Sequence, residues 1–316
     1  MKIIRNLLFL LFIMIMPYDI YGQDGKVTLP YFCGFEENSD TAGTYGWTFV
    51  KRPGVNHSFV IGEAVSNMGN RSLYVSKDDG TTASYTASKS TQGSVVVAYK
   101  SFYLQAGTYD LMFDYRMQGG NLQSGDVIVN SDVMRVAFYG ISDFSGKPTA
   151  VATGQFPNYA TKYPFKDKNG VEVFNSTIWK QVEGQLKVMQ DGYYYLVFLF
   201  KEDGNEYVYN PGACIDNVQL DIAKSSTDCA VVPSNIKVEK EDLGIKLTWE
   251  GNADEYDVMY DCLSSKSDEI TEVRGIKSKE YFFSYADLEE GVYDFRIRAR
   301  CENDSSFWAG KSNVIV

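Results

Sequence analysis

Histidine is nearly absent from this chain: its 316 residues include one, His57. Zinc centres draw on several imidazoles and thiolates, and many hydrolases pair a histidine with a serine or cysteine, so both chemistries lack their usual groups. No G-x-S-x-G elbow exists for His57 to serve, and "GVNHSF" around it reads as a loop. Positive charge is also in deficit, with 30 Lys and Arg against 41 Asp and Glu, a formal charge of −11. Such a surface repels a phosphate backbone, which excludes nucleic acid and suits plain solubility, calcium or neutral glycans. Proline is scarce, at eight. Beyond the N-terminus no amphipathic helix exceeds about two turns, and no apolar run would span a bilayer. What is abundant is aromatic and small: 23 Tyr, 19 Phe and 27 Gly, a mixture that favours sheet over helix.

The N-terminus predicts export. Lys2 and Arg5 precede a short apolar run from Leu7 to Met16 that breaks at Pro17, and Gly22 suits cleavage before Gln23. Residues 1–22 are therefore expected to be a signal peptide, and the protein to be secreted or held at a cell surface. Cys33 lies outside the apolar run and follows bulky Tyr31 and Phe32, which argues against a lipid anchor. Cleavage removes Lys2, Arg5 and Asp19, a net of +1, and leaves −11 − 1 = −12. The remaining length, about 290 residues, exceeds one typical domain. Five cysteines in an exported chain point to disulfides with one thiol over.

From Lys26 to Ile222 the chain reads as short strands separated by turn residues. In "GTYDLMFDYRM", Tyr109, Leu111, Phe113 and Tyr115 alternate with Asp110, Met112 and Asp114, the period of a strand with one buried face. "DVMRVAFYG" and "KQVEGQLKVM" repeat the theme, and "GYYYLVFLFKEDG" is apolar on both faces, as a central strand would be. The small, polar "DIAKSSTDCAVVPSN" marks a boundary, giving a first domain over 23–222, a linker over 223–230 and a second domain over 231–316. In the second, "GIKLTWEG", "DEYDVMYDC", "KEYFFSYADL", "GVYDFRIRARC" and "KSNVIV" have the spacing of a small sandwich. The expected class is all-β, two sandwiches in tandem.

Two resemblances sharpen this. Pro233, Trp249 in "KLTW", Tyr256 in "YDVMY", Leu288 five residues before Tyr293, and "YDFRIRARC" together resemble a fibronectin type III domain across 231–316. The likeness implies a tryptophan in the core and a tyrosine corner at Tyr293. It implies little about function, and "CENDSSFWAGKS" carries no RGD. In the first domain, "LPYFCGFEE" followed by Trp47, "NRSLYVS", "GTYDLMFDYRM", "STIWKQVEGQL", "YYYLVFLF" and "ACIDNVQL" resemble the jelly-roll modules of the cleaved-adhesin and choice-of-anchor J group, relatives in architecture of MAM domains. That resemblance implies an extracellular, non-catalytic binding or adhesive module. The tight acidic loop usual in such adhesins is missing, since Trp47 is followed by "TFVKRPGVNHSF".

The jelly-roll resemblance implies that the first and last strands lie side by side. On it rests an expected Cys33–Cys214 disulfide closing a loop of roughly 180 residues, with a stabilisation of about 3 to 5 kcal/mol. The same pairing would bring Glu36 and Asp216 to one end, either as ligands of a structural calcium ion or as acceptors for buried backbone amides. In the fibronectin-like domain, antiparallel pairing puts Tyr293 near Cys262 and leaves Cys301 about 25 Å away at strand rise. Cys301 is then expected to reach Cys229, and Cys262 to be the odd thiol, either buried or meeting another chain.

Two acidic clusters, "SKDDGT" with Asp78 and Asp79 and "FKEDGNE" with Glu202, Asp203 and Glu206, could supply a glycosidase pair but read first as solvated turns. Binding suits the composition better. Aromatic faces stack on sugar C–H surfaces, and "TYGW", "FPNYATKYPF" and "NEYVYN" offer Tyr45, Trp47, Tyr159, Tyr163, Tyr207 and Tyr209 on apparent loops. The leading expectation is a non-catalytic binding or adhesion protein for glycan or extracellular protein. The alternatives are a spacer or assembly subunit of a surface complex and a diverged glycan hydrolase. The oligomeric state is left open.

Overall fold

The computed structural model describes residues 27, 29–36, 45–86, 93–118, 121–124, 127–130, 132–140, 176–202, 204, 208–225, 227–265, 270–302 and 304–316. The expected signal peptide lies outside the described residues. The described secondary structure is all strand, in 19 segments, with every pairing antiparallel among the described ladders. No described helix is long and apolar enough to cross a membrane.

The first sandwich contains β1 (Tyr31–Cys33), β2 (Thr48–Lys51), β3 (Ser58–Gly62), β4 (Ser72–Ser76), β5 (Ser94–Leu104), β6 (Gly107–Met117), β7 (Asn121–Ser124), β8 (Val127–Asn130), β9 (Val133–Gly140), β10 (Ser176–Val188), β11 (Gly192–Glu202) and β12 (Cys214–Ile222). One sheet runs β10-β6-β12-β4-β3 with β1 also on β12, and the other runs β2-β5-β11-β9. Alternation decides which side chains meet between them. Tyr109, Leu111, Phe113, Tyr115 and Met117 of β6 face Leu196, Phe198 and Phe200 of β11 in one continuous core. The rings of Phe113 and Phe198 meet edge to face at 5.2 Å, joining the two layers. β11 is buried on both sides, its other side giving Tyr195, Val197 and Leu199 to a second apolar cluster.

The second sandwich contains β13 (Ser234–Glu241), β14 (Gly244–Glu250), β15 (Glu255–Cys262), β16 (Thr271–Ile276), β17 (Glu280–Ser284), β18 (Val292–Arg300) and β19 (Ala309–Ile315). Its sheets run β13-β14-β17 and β16-β15-β18-β19. Trp249 packs on Tyr256 at 5.4 Å and Phe283 on Phe295 at 5.0 Å, so each layer supplies rings to the other. Tyr293 donates its hydroxyl to the Glu289 carbonyl at 3.1 Å, a corner four residues deep. The first sandwich repeats this device twice, Tyr109 to Gln105 and Tyr194 to Gln190, each at 2.9 Å.

The cysteines divide differently from the expectation in one respect. Cys229 and Cys301 form a disulfide with Cα atoms 6.1 Å apart, and Cys262 is free, paired in register with Tyr293. Cys33 and Cys214, however, are both free and buried, which corrects the Cys33–Cys214 bridge. β1 does lie on β12, but Cys33 sits opposite Val218, four residues or about 13 Å along the strand from Cys214. The two also face opposite ways: Cys33 joins the inter-sheet core, whereas Cys214 packs outside with Tyr74 and Trp179. A bulge between Asp216 and Gln219, with Asn217 at φ 50°, inserts one residue and turns Val218 inward.

Candidate functional site

Of the predicted loop aromatics, Tyr45 and Trp47 are buried in the core. Trp47 is 2% exposed and packs against Phe35 and Phe198, and Tyr45 is buried edge to face with Phe35 at 5.9 Å. Their inward turn has a local cause. Tyr45 and Gly46 both have positive φ, 55° and 72°, and the resulting reversal swings the Tyr45 and Trp47 rings under the sheet. A Cβ at residue 46 would stand 2.4 Å from the Lys100 ammonium, which donates to the Tyr45 carbonyl at 2.7 Å. Tyr209 is partly buried, with its backbone amide donating to the Tyr85 hydroxyl at 2.8 Å. Tyr159, Tyr163 and Tyr207 lie outside the described residues.

His57 lies in the loop just before β3, as its context reads, but its side chain is part of the core. It is buried against the rings of Tyr85 and Phe200, with Nε2 3.0 Å from Ser94 Oγ, and Ser94 in turn donates to Glu202 at 3.1 Å. Because the only serine proton goes to the carboxylate, His57 is the donor to Ser94, the reverse of the polarity that activates a nucleophile. Burial lowers the His57 pKa to about 4, with Lys51 adding to the effect, so the ring is neutral at physiological pH. Glu202, expected in a solvated turn, is fully buried at the end of β11, where it also accepts from the Gly204 amide. Asp78 does close a turn, accepting from Thr82 and Ser76. Asp203 and Glu206 are outside the described residues.

Glu36 and Asp216 do reach the same end of the sandwich, but each is committed to backbone. Glu36 accepts from the amides of Asn70 and Arg71 at 2.9 and 3.0 Å, and Asp216 from those of Asn67 and Asn217 at 2.8 and 2.7 Å. Burial raises the pKa of both, Asp216 strongly. Among the described residues no three His, Cys, Asp or Glu groups converge on one point. A calcium ion wants six to eight oxygens. In the structure the two carboxylates hold the 67–71 loop.

That loop belongs to a larger junction. The outward residues of β6 and β12, which period two would leave in water, are covered by the second sandwich. Met112 packs with Phe307 and Ala309, Gln219 exchanges hydrogen bonds with the Trp308 backbone at 2.9 and 3.2 Å, and Gln181 reaches the Trp308 carbonyl at 3.1 Å. Asp114 accepts from Arg296 of β18, from Asn217 and from Asn67. The outward residues Met112, Asp114 and Gln219 at the centre of this sheet are therefore spent inside the molecule, while Glu183, Gln185 and Lys187 of β10 stay exposed.

The opposite sheet presents what the sequence reading missed, a face of tyrosines. Register sets Tyr103 beside Tyr193, and Ser101, Tyr195 and Tyr139 in the next row, with Tyr99 beyond. Neighbouring rings meet edge to face at 5.2 Å (Tyr103–Tyr193), 5.4 Å (Tyr99–Tyr195) and 5.8 Å (Tyr139–Tyr195). Tyr139 and Tyr195 are buried, while Tyr103 and Tyr193 at the rim are 38% and 49% exposed. Arg135 and Lys201, both exposed, point the same way at the far end. The alternation of Tyr99, Ser101 and Tyr103 in "AYKSFYL" was the sequence signal available for this face.

Comparison with known proteins adds no identity. No protein-family model matches the chain, and no curated protein does. Among solved structures, TmCBM61 in complex with β-1,4-galactotriose is 12% identical, over 57% of this chain and 90% of that one, with a TM-score of 0.32. The tandem CBM22-1–CBM22-2 domain of Xyn10C from Paenibacillus barcinonensis is 10% identical, over 92% and 99%, with a TM-score of 0.31. A β-1,2-glucanase from Parabacteroides distasonis is 13% identical, over 90% of this chain but 39% of that enzyme, with a TM-score of 0.36. Likenesses of this strength carry neither ligand nor activity to this chain.

Proposed function

We propose that the chain is an exported, non-catalytic binding protein whose first sandwich engages a glycan through the rim of the tyrosine face. The observation that carries this is the exposed Tyr103–Tyr193 pair on the sheet opposite the one whose centre the second sandwich covers. Rigid aromatic planes held by cross-strand register can stack on sugar C–H faces at little entropic cost, and the chain's acidity favours a neutral saccharide over an anionic one. The buried, wrongly polarised His57–Ser94 pair supports binding over hydrolysis. In this reading the first sandwich is a cleaved-adhesin or choice-of-anchor J type jelly roll, supported by β1 lying on β12. The second is a fibronectin type III domain, supported by its three-plus-four strand order and the Tyr293 corner.

A second reading, a spacer or assembly subunit that binds protein, is favoured by the extensive junction between the sandwiches. A glycan array decides between them. The first reading expects saccharide hits that disappear in Tyr103→Ala and Tyr193→Ala proteins whose melting temperatures are preserved. An array without hits, or hits indifferent to both substitutions, overturns it.

A further inference from the structure

We propose that Arg296 is a charge lock through which the second sandwich completes the first, so that the two unfold as one unit and meet at a fixed angle. The guanidinium is 1% exposed and comes from β18, yet it donates to Asp114 of β6 as well as to Asp294 on its own strand, the latter at 2.7 and 2.8 Å. Asp114 and Asp294 are equally buried. Asn217 and Asn67 donate to the same Asp114 oxygen, and Ser312 of β19 links Asn67 to Asp294. One carboxylate of the first sandwich is thus buried with, among the described residues, its ion-pair partner on the second.

The need for that countercharge runs across the whole contact. Asp114, Asp216 and Asn217 project from the first sandwich toward it, and Asp261 of β15 reaches back to accept from the Gly69 amide at 2.8 Å. Among the described residues Arg296 is the cation that pairs with Asp114. An isolated buried carboxylate is costly enough that losing one partner of a buried pair destabilises far more than the pair itself contributes. The connecting segment leaves little slack. Ala223 donates to the Thr108 carbonyl at 2.9 Å, Lys224 pairs with Asp304 at 2.6 Å, and Cys229 is bonded to Cys301. Ala223, Lys224 and Cys229 therefore fasten the connection to both sandwiches.

Differential scanning calorimetry on the full chain tests this, using wild type, Arg296→Met and Arg296→Met/Asp114→Asn. Wild type is expected to melt in a single transition. Arg296→Met should lower it by about 10 °C or split it in two, and adding Asp114→Asn should recover about half of that loss, because one of the two stranded carboxylates, Asp114 and Asp294, is then neutral. Two separate wild-type transitions overturn the proposal, and this arm holds even if the single variant cannot be purified. A single-variant shift within about 2 °C of wild type, or a double variant no better than the single one, also overturns it.

Discussion

Replacing Trp47 by alanine separates a core role from a ligand role at one of the aromatic residues that the sequence suggests for binding. Its indole is 2% exposed, touching Phe198 at a centroid distance of 5.5 Å and Phe35 at 6.3 Å. Deleting a buried indole removes its transfer free energy and leaves a cavity that β2 and β11 cannot close, together about 3 to 5 kcal/mol. For a unit of this size each kcal/mol is worth roughly 2 to 4 °C, so the melting temperature should fall by about 10 °C. Urea titration gives the same quantity as a lower midpoint at unchanged slope. If the variant is still folded at low temperature, its affinity for any array hit should equal that of wild type, whereas Tyr193→Ala should do the reverse. A Trp47→Ala protein that melts like wild type and has lost its ligand would refute the core assignment.

Other consequences follow from the same structure. Denatured but unreduced protein should titrate three free thiols, Cys33, Cys214 and Cys262; a single thiol would restore the Cys33–Cys214 bridge. Replacing Cys229 and Cys301 by serine opens a crosslink between residues 72 apart and should cost about 4 kcal/mol by loop entropy, read as a lower urea midpoint. His57, depressed to about 4, contributes stability above its unfolded pKa near 6.5 and loses it as pH falls. The melting temperature of His57→Gln should therefore rise relative to wild type between about pH 7 and pH 5, and a difference independent of pH would count against a buried neutral ring. Asp294 has the opposite sign: burial, outweighing Arg296, raises it to about 6, so its contribution is present in acid and lost as pH rises through that value. Asp294→Asn should accordingly gain on wild type from about pH 5 to pH 7.5.

Period two made the sheets legible. Tyr109, Leu111, Phe113 and Tyr115 fall on one face as their alternation requires, and the doubly apolar β11 is central. Trp249 and Tyr293 occupy the core and corner that the fibronectin-like resemblance implied. β13 escaped because charge dominates "SNIKVEKE" and only Ile236 and Val238 carry its buried face. Local signals failed where one residue changes parity or direction. The extra residue at Asn217 altered the register that governs Cys33, and two positive-φ residues sent Trp47 inward from what reads as an exposed loop. The junction was illegible for a different reason. Asp114 looks like the solvent side of an amphipathic strand, and nothing local in "GTYDLMFDYRM" reveals that an arginine 182 residues later will cover it. The tyrosine face needed the pairing of β5 with β11, a long-range fact, before its rows became visible.

Oxidative footprinting of the full chain, with and without a saturating saccharide chosen from the array, bears most directly on the binding surface. Modification of Tyr103 and Tyr193 should fall on saturation, while the exposed Phe282 and Tyr285 of the second sandwich stay as reactive as before. Unchanged labelling at Tyr103 and Tyr193, with protection appearing on any other face, would contradict the account.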